Sequence, residues 1–362
     1  MGGFGPALPL LRDLQGTSAA VAGLHGTALG IASIVAGQLN APLVHRFGRY
    51  RSSWIGLFTM CLGVLAFVSL PEASQTIPAI FFAGVGISLA INNIVTYISA
   101  HYAEHQTRAF SQNNAVNQFF FLLGNLIVGV VAALGITWRP TLLLCIPFAL
   151  ALYFIAGRKF RPEHVPESAG RQRGSLPMTY WVAWVGLAFT IAAEFAIAYW
   201  SAALIRERTG ISAALATVLV LAFPLGMMTG RWYGTYIAPN LGIDQRLMVA
   251  LAMQIGGFAI FWSAAHPTLG FLGLLIVGLG TSMQFILTTL RLLAFGGAKV
   301  DLAMGRSSWA AGIAIAGSPF LLGYLSDLFG VTKAFLIVPI FIAIAFAIVS
   351  TLPMPGRERV GT

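Results

Sequence analysis

Eleven times along this chain of 362 residues, a block of about twenty apolar residues is followed by a short polar break. At 1.5 Å per residue, roughly twenty helical residues are what it takes to cross a hydrocarbon layer about 30 Å thick. Lipid offers no partners to backbone N–H and C=O groups, so a spanning block must satisfy them internally as a helix. Spans are expected near 18–44, 52–71, 77–100, 112–135, 138–157, 178–204, 212–236, 246–265, 268–292, 305–326 and 332–352. Ahead of them, Gly2 to Leu11 is apolar but ends at Arg12 and Asp13. Ten residues cover only ~15 Å, so this segment reads as part of a first helix whose native start is expected upstream. Hydrophobic residues make up 57% of the chain and charged ones 9%, against about 25% charged in soluble domains. The expectation is an all-α membrane protein with the lipid bilayer as its main partner, and not a soluble enzyme.

The net charge of +10 would suit a nucleic-acid binder if the cations shared one polar domain. They are instead divided by the spans. With alternate loops placed on opposite sides, 16 of the 21 Lys and Arg residues fall on one side and 5 on the other. The positive-inside rule makes the first side cytoplasmic, with the C-terminus there, in a multi-pass cell-membrane protein. Nucleic acid is therefore not an expected partner. Cys61 and Cys145 each lie within an apolar span and read as core residues, with neither a metal nor any other cofactor indicated.

The longest polar stretch, 158–177, carries Arg158, Lys159, Arg161, Arg171 and Arg173 and reads as a cytoplasmic linker. It divides a first half, 1–157, holding the partial helix and five full ones, from a second half, 178–352, with a short tail at 353–362. Two anchors relate the halves at one offset. Arg46-Phe47-Gly48 matches Asn240-Leu241-Gly242 (240 − 46 = 194), and Asn125 with Gly129 matches Pro319 with Gly323 (319 − 125 = 194). A duplicated unit of this kind typifies secondary transporters with a midplane site between the halves. Gly26 and Gly30, and Gly226, Gly230 and Gly234, recur at four-residue steps. That spacing puts them on one helix face, where they serve close packing or a surface on which the halves move.

The stretch Ala41-Pro42-Leu43-Val44-His45-Arg46-Phe47-Gly48-Arg49 resembles the signature loop of the major facilitator superfamily, G-x-x-x-D-R-x-G-R. Arg46, Gly48 and Arg49 match and would form the cytoplasmic gating loop. Ala41 stands for the leading Gly and His45 for the Asp, so the carboxylate of that loop's usual latch is missing. The family's antiporter motif carries Gly-Pro in the fifth helix, where this chain has Gly124-Asn125. The resemblance implies a bundle of two pseudo-repeated six-helix halves, with helices one, four, seven and ten around a central cavity.

A charged residue inside a span is costly and normally faces a cavity or a partner. Glu194 is the most deeply placed acidic residue, and a carboxyl drawn out of water can exchange a proton as water access changes. It is the candidate coupling site, the alternative being a fixed packing contact. Thr190, Glu194 and Ser201 share a helix face. Thr281, Gln284, Thr288 and Arg291 form a polar stripe on the tenth helix, and Asn92, Asn93, Thr96 and Tyr97 supply polar groups to the fourth. By the resemblance, the cavity candidates are Asn92, Asn93, Thr96, Thr190, Gln284, Thr288 and Arg291. The fifth helix's Asn114, Asn117, Gln118 and Asn125 suit helix–helix bonding. Arg231 sits toward the cytoplasmic end of its span, about 15 Å from Glu194 in depth at 1.5 Å per residue, too far for an ion pair. Trp200 and Tyr199 lie where belt aromatics stand, and His25 reads as a packing residue.

These readings converge on a monomeric secondary transporter of a small solute, working by alternating access and coupled to protons through Glu194. Efflux of amphiphilic compounds, or a transporter-like sensor or lipid-handling protein, are the other readings. No P-loop, and no His and Glu at the spacing of a metalloprotease, points to ATP-driven transport or to an embedded enzyme.

Overall fold

In the computed structural model, residues 7–101, 106–155, 174–233, 241–297 and 300–354 are described. They fold into helices joined by short turns. The first, α1 (Leu8–Gln15), is short. The helical run Ala19–Ser69 is broken at Gly48, whose φ of 78° is open to glycine and strained for other residues. The run holds two spans, α2 (Ala19–Asn40) and α3 (Arg46–Ser69), and the break lies in the first turn of α3. There follow α4 (Ala73–His101), α5 (Gln106–Ala133), and a short apolar helical stretch, α6 (Arg139–Ile155), that opens with a 3₁₀ turn. The second half holds α7 (Met178–Thr209), α8 (Ala213–Tyr233), α9 (Ile243–Ser263), α10 (Pro267–Gly296), α11 (Val300–Phe329) and α12 (Val331–Thr351). Ten of the expected spans have a helix long and apolar enough to cross a membrane, and the expected 138–157 is the shorter α6. Most of the linker 158–177 and of the tail 353–362 lies outside the described residues.

Large apolar side chains such as Leu62, Val116, Phe148, Val249, Leu272 and Ile340 are exposed on the outside of the bundle. That is the pattern expected where lipid replaces water as solvent. One end of the bundle carries Arg12, Arg139, Arg206, Arg208 and Lys333, and is called here the arginine-poor side. The other is the basic side.

Helix α7 organises the second half by packing on α10, α11 and α12. Near the basic side the Tyr180 hydroxyl donates to Ala303 O (2.7 Å) and Trp184 Nε1–H to Arg306 O (2.8 Å), both on α11. The helix continues past the expected end at residue 204, because Arg206, Glu207 and Arg208 reach the surface. Gly210, at φ 69°, then ends it and returns its N–H to Arg206 O. Arg206 and Arg208 in the last turn also suit the negative end of the helix dipole.

Two helices are interrupted near mid-depth. In α8 the helix lapses between Leu219 and Ala222, beside Pro224, which has no N–H to donate. In α10 it lapses at Ser282 and Met283, between Thr281 and Gln284.

The halves meet along two helix pairs. A β-carbon added at Gly129 of α5 would lie 2.6 Å from Val218 Cγ2 of α8, and one at Gly323 of α11 would lie 2.5 Å from Ala19 O of α2. Shifted by the same offset of 323 − 129 = 194, Gly129 falls on Gly323 and Val218 on Leu24. The α5–α8 and α2–α11 contacts thus pair equivalent helices of the two halves, as a duplicated bundle requires.

Candidate functional site

Helix α7 carries Glu194 midway along its length. The residue is half-buried, and among the described residues no hydrogen bond or ion pair reaches its carboxylate. The cation whose charge acts on it is Arg231 of α8, which is also half-buried. No nitrogen–oxygen pair between the two lies within 4.0 Å, so the charges act on one another without closing a salt bridge. A direct salt bridge between them was not expected, and none is present among the described residues.

Arg231 is positioned by the interruption in α10. Its Nε–H donates to the Ser282 carbonyl oxygen (3.2 Å), at the point where the helix lapses. Gly230 leaves the room for that approach, as a side chain there would run into the Ser282 hydroxyl. No other hydrogen bond is made by the guanidinium among the described residues, so its two terminal amino groups are uncommitted. A carboxylate and a guanidinium held apart can each take one end of a molecule that carries both a donor and an acceptor.

The other sequence candidates are more heavily engaged. The Gln284 amide donates to Gln254 Oε1 (2.8 Å) and to Gly280 O (3.0 Å), and Gln254 donates to Thr281 Oγ1 (3.0 Å). This buried amide network ties α9 to α10, although the Gln284 Oε1 atom has no partner among the described residues. The Thr190 hydroxyl donates to Leu187 O (2.8 Å), and Thr288 to Gln284 O (2.6 Å), each within its own helix. Asn93 is buried, with its amide donating to Leu89 O (3.0 Å) and its Oδ1 without a partner among the described residues, while Asn92 is half-buried. The side chain of Thr96 lies outside the described residues.

Arg291 stands in a separate polar cluster toward the basic side. Its Nε–H donates to Asp244 Oδ1 (2.9 Å) in the first turn of α9, and Asp244 Oδ2 accepts the Met354 N–H (2.8 Å) beyond α12. The guanidinium also lies over the Phe295 ring, and the Arg291 side chain is 3% exposed. Removing Asp244 would leave a buried cation unpaired, a loss approaching ~3–5 kcal/mol. Asp244→Ala is therefore expected to lower the unfolding temperature of the protein in detergent by several degrees, and Asp244→Ala with Arg291→Leu to recover most of it. In the signature loop, Arg46 is exposed over the Phe47 ring and Gly48 makes the break, while Arg49 is half-buried.

Trp200 and Tyr199 are not belt aromatics. Both are buried, and the Trp200 indole N–H donates to Pro319 O (2.9 Å), at the proline within α11. His25 is buried as expected, between Ala22 O and the Thr76 hydroxyl.

The sequence profile of the Major Facilitator Superfamily matches residues 1–294. An uncharacterised transporter, YycB, of Bacillus subtilis (strain 168) is 25% identical over 336 residues, covering 89% of this chain and 82% of that one. The 2-nitroimidazole transporter of Escherichia coli (strain K12) is 26% identical over 347 residues, covering 90% and 84%. Among solved structures, a bacterial homologue of the human lysosomal transporter Spinster, in an inward-facing and occupied conformation, superposes with a TM-score of 0.73 at 13% identity, covering 99% of this chain and 96% of that one. The same homologue in its unoccupied form gives 0.70 at 12% identity, covering 97% and 93%.

Proposed function

This chain belongs to the Major Facilitator Superfamily, and on that premise we propose that it is a proton-coupled transporter of a small amphoteric solute, bound between Glu194 and Arg231. The observation that carries this reading is a pair of opposite charges on α7 and α8 that act on one another without closing a salt bridge. Two opposite charges in a membrane interior would gain most by direct contact, and keeping them apart leaves each able to recognise a ligand. The interruptions in α8 and α10 beside them resemble the broken helices that line transporter binding sites.

Glu194 is the site at which a proton is taken up and released, and Arg231 the site that holds an acceptor group of the solute. Asn92, Asn93, Thr190, Gln284 and Thr288 are assigned to the surrounding wall, with Gln284 Oε1 and Asn93 Oδ1 as spare acceptors. Arg291, tied to Asp244, supports the wall from the basic side. A planar ring with an N–H donor and an acceptor substituent fits this charge pattern, and the relative named for 2-nitroimidazole carries a solute of that chemistry. Taking the basic side as cytoplasmic, the contacts between α2 and α11 close the outer side and leave the cavity facing inward.

The test is uptake into proteoliposomes under an imposed pH gradient, with 2-nitroimidazole, a neutral amino acid, a sugar and a lipophilic cation as probes. Gradient-driven movement of the planar amphoteric probe is expected, with Arg231→Gln raising its KM at least about tenfold, the worth of one charge-assisted hydrogen bond. Movement of the sugar or the cation in its place would overturn the solute class. No gradient-dependent movement of any probe would overturn the coupling.

A further inference from the structure

The start of α2 and the end of α11 come from different halves and meet on the arginine-poor side. There the Asp327 carboxylate accepts two backbone hydrogen bonds from α2, one from Ala19 N–H (2.9 Å) and one from Ala20 N–H (2.8 Å). Ser18, the N-cap, accepts the Val21 N–H through its own hydroxyl (3.2 Å). The first-turn donors that α2 cannot satisfy internally are thus shared between its own cap and the other half.

Asp327 is poorly placed for its own helix. It stands in the last turn of α11, where the helix dipole is negative and a carboxylate is disfavoured. The same dipole argument favours it at the positive start of α2. The residue is also exposed, so water can replace both bonds when they part. Below it the two helices run backbone to backbone. A β-carbon at Gly23 would lie 2.7 Å from Pro319 O, and one at Gly26 would lie 2.9 Å from Pro319 Cβ. The Thr27 hydroxyl donates to Ala316 O (2.6 Å). Asp13 before α2 and Arg206 of α7 add an exposed ion pair between the halves on the same side.

We propose that Asp327 is a latch: its two bonds to the first turn of α2 hold the arginine-poor side of the bundle shut, and breaking them opens the cavity to that side. The inference rests on the alternating-access reading above, but its test reads distances rather than transport. Spin labels at exposed Leu134, after α5, and exposed His266, before α10, report the separation of the halves on this side. The background carries Cys61→Ala and Cys145→Ala, since both native cysteines are free thiols. Asp327→Ala is expected to enlarge the long-distance population by about tenfold, the effect of a charge-assisted hydrogen bond. Asp327→Asn, which keeps one acceptor oxygen, falls between it and the parent.

Ala20→Pro supplies an independent check from the other half. Proline is tolerated in the first turn of a helix, and the N–H it removes is one that bonds Asp327 rather than α2 itself. It is expected to move the distribution in the same direction. An unchanged distribution in both Asp327→Ala and Ala20→Pro overturns the latch. So does a change confined to Asp327→Ala, because the aspartate would then be acting on something other than the helix start.

Discussion

Glu194→Gln is expected to abolish accumulation of solute against a concentration gradient, while solute exchange across the same liposomes stays within about twofold of the parent. The amide keeps the size and hydrogen-bonding shape of a protonated carboxyl but cannot release a proton, so it fixes the residue in one of its two states. A transporter coupled through this group should then still reorient with solute bound, and should lose only the drive. The position favours this outcome because the carboxylate has no hydrogen-bonding partner among the described residues whose loss would upset the fold. Measuring solute-driven alkalinisation alongside exchange separates the two activities. Survival of coupling in the mutant would make Glu194 a structural residue and shift attention to the Gln254–Gln284 network, the other polar group at that depth.

Gly30→Leu is expected to reduce transport by more than about tenfold and to populate the form open on the arginine-poor side. A side chain at this position would collide with the backbone of Ala316, which cannot swing aside as a side chain could. Overpacking of this kind commonly costs ~1–3 kcal/mol. Here the cost falls on the state in which α2 and α11 touch, so it would appear first as a shift between states and less as unfolding. Gly37 provides the control, since it lies on the same helix with nothing within 4 Å of an added β-carbon. Gly37→Leu should leave both transport and the distance distribution unchanged. Equal loss from both substitutions would indicate general damage to α2.

The spans were legible because each apolar block is long and the breaks between them are polar, which is the strongest signal a membrane protein writes into its sequence. The small-residue face of α2 was legible too, as a four-residue repeat of glycine. What that face meets was not, because Pro319 and Ala316 lie almost 290 residues further on and no local pattern links them. Glu194 stood out as an acidic residue deep in an apolar span. Arg231 was set aside as an ion-pair partner, and no ion pair joins the two among the described residues; what position along a span did not show is that its charge still acts on Glu194. The interruption in α10 at Ser282 and Met283 also left no mark, for neither residue is a helix breaker. The aromatic pair Tyr199 and Trp200 was misjudged for a related reason. Position along a span says how deep a ring sits, but not whether it faces lipid or the partner helix, and here both rings turn inward toward α2 and α11.

The close run of α2 against α11 also decides where an electric field can act. Close contact from Ala19 to Ile34 covers about 22 Å at 1.5 Å per residue, and a layer packed that tightly has no room for ions or water. If the opposite side of the cavity is wet, nearly all of the membrane voltage falls across this layer. Glu194 then sits close to the electrical potential of the wet side. A proton that enters Glu194 from one side and leaves to the other would cross most of the field, although the carboxylate itself hardly moves. At ~2.3 kcal/mol per charge per 100 mV, voltage would drive the protonation steps and not the rocking of the helices. Uptake at a fixed pH gradient should accordingly depend on membrane potential even for a solute with no net charge.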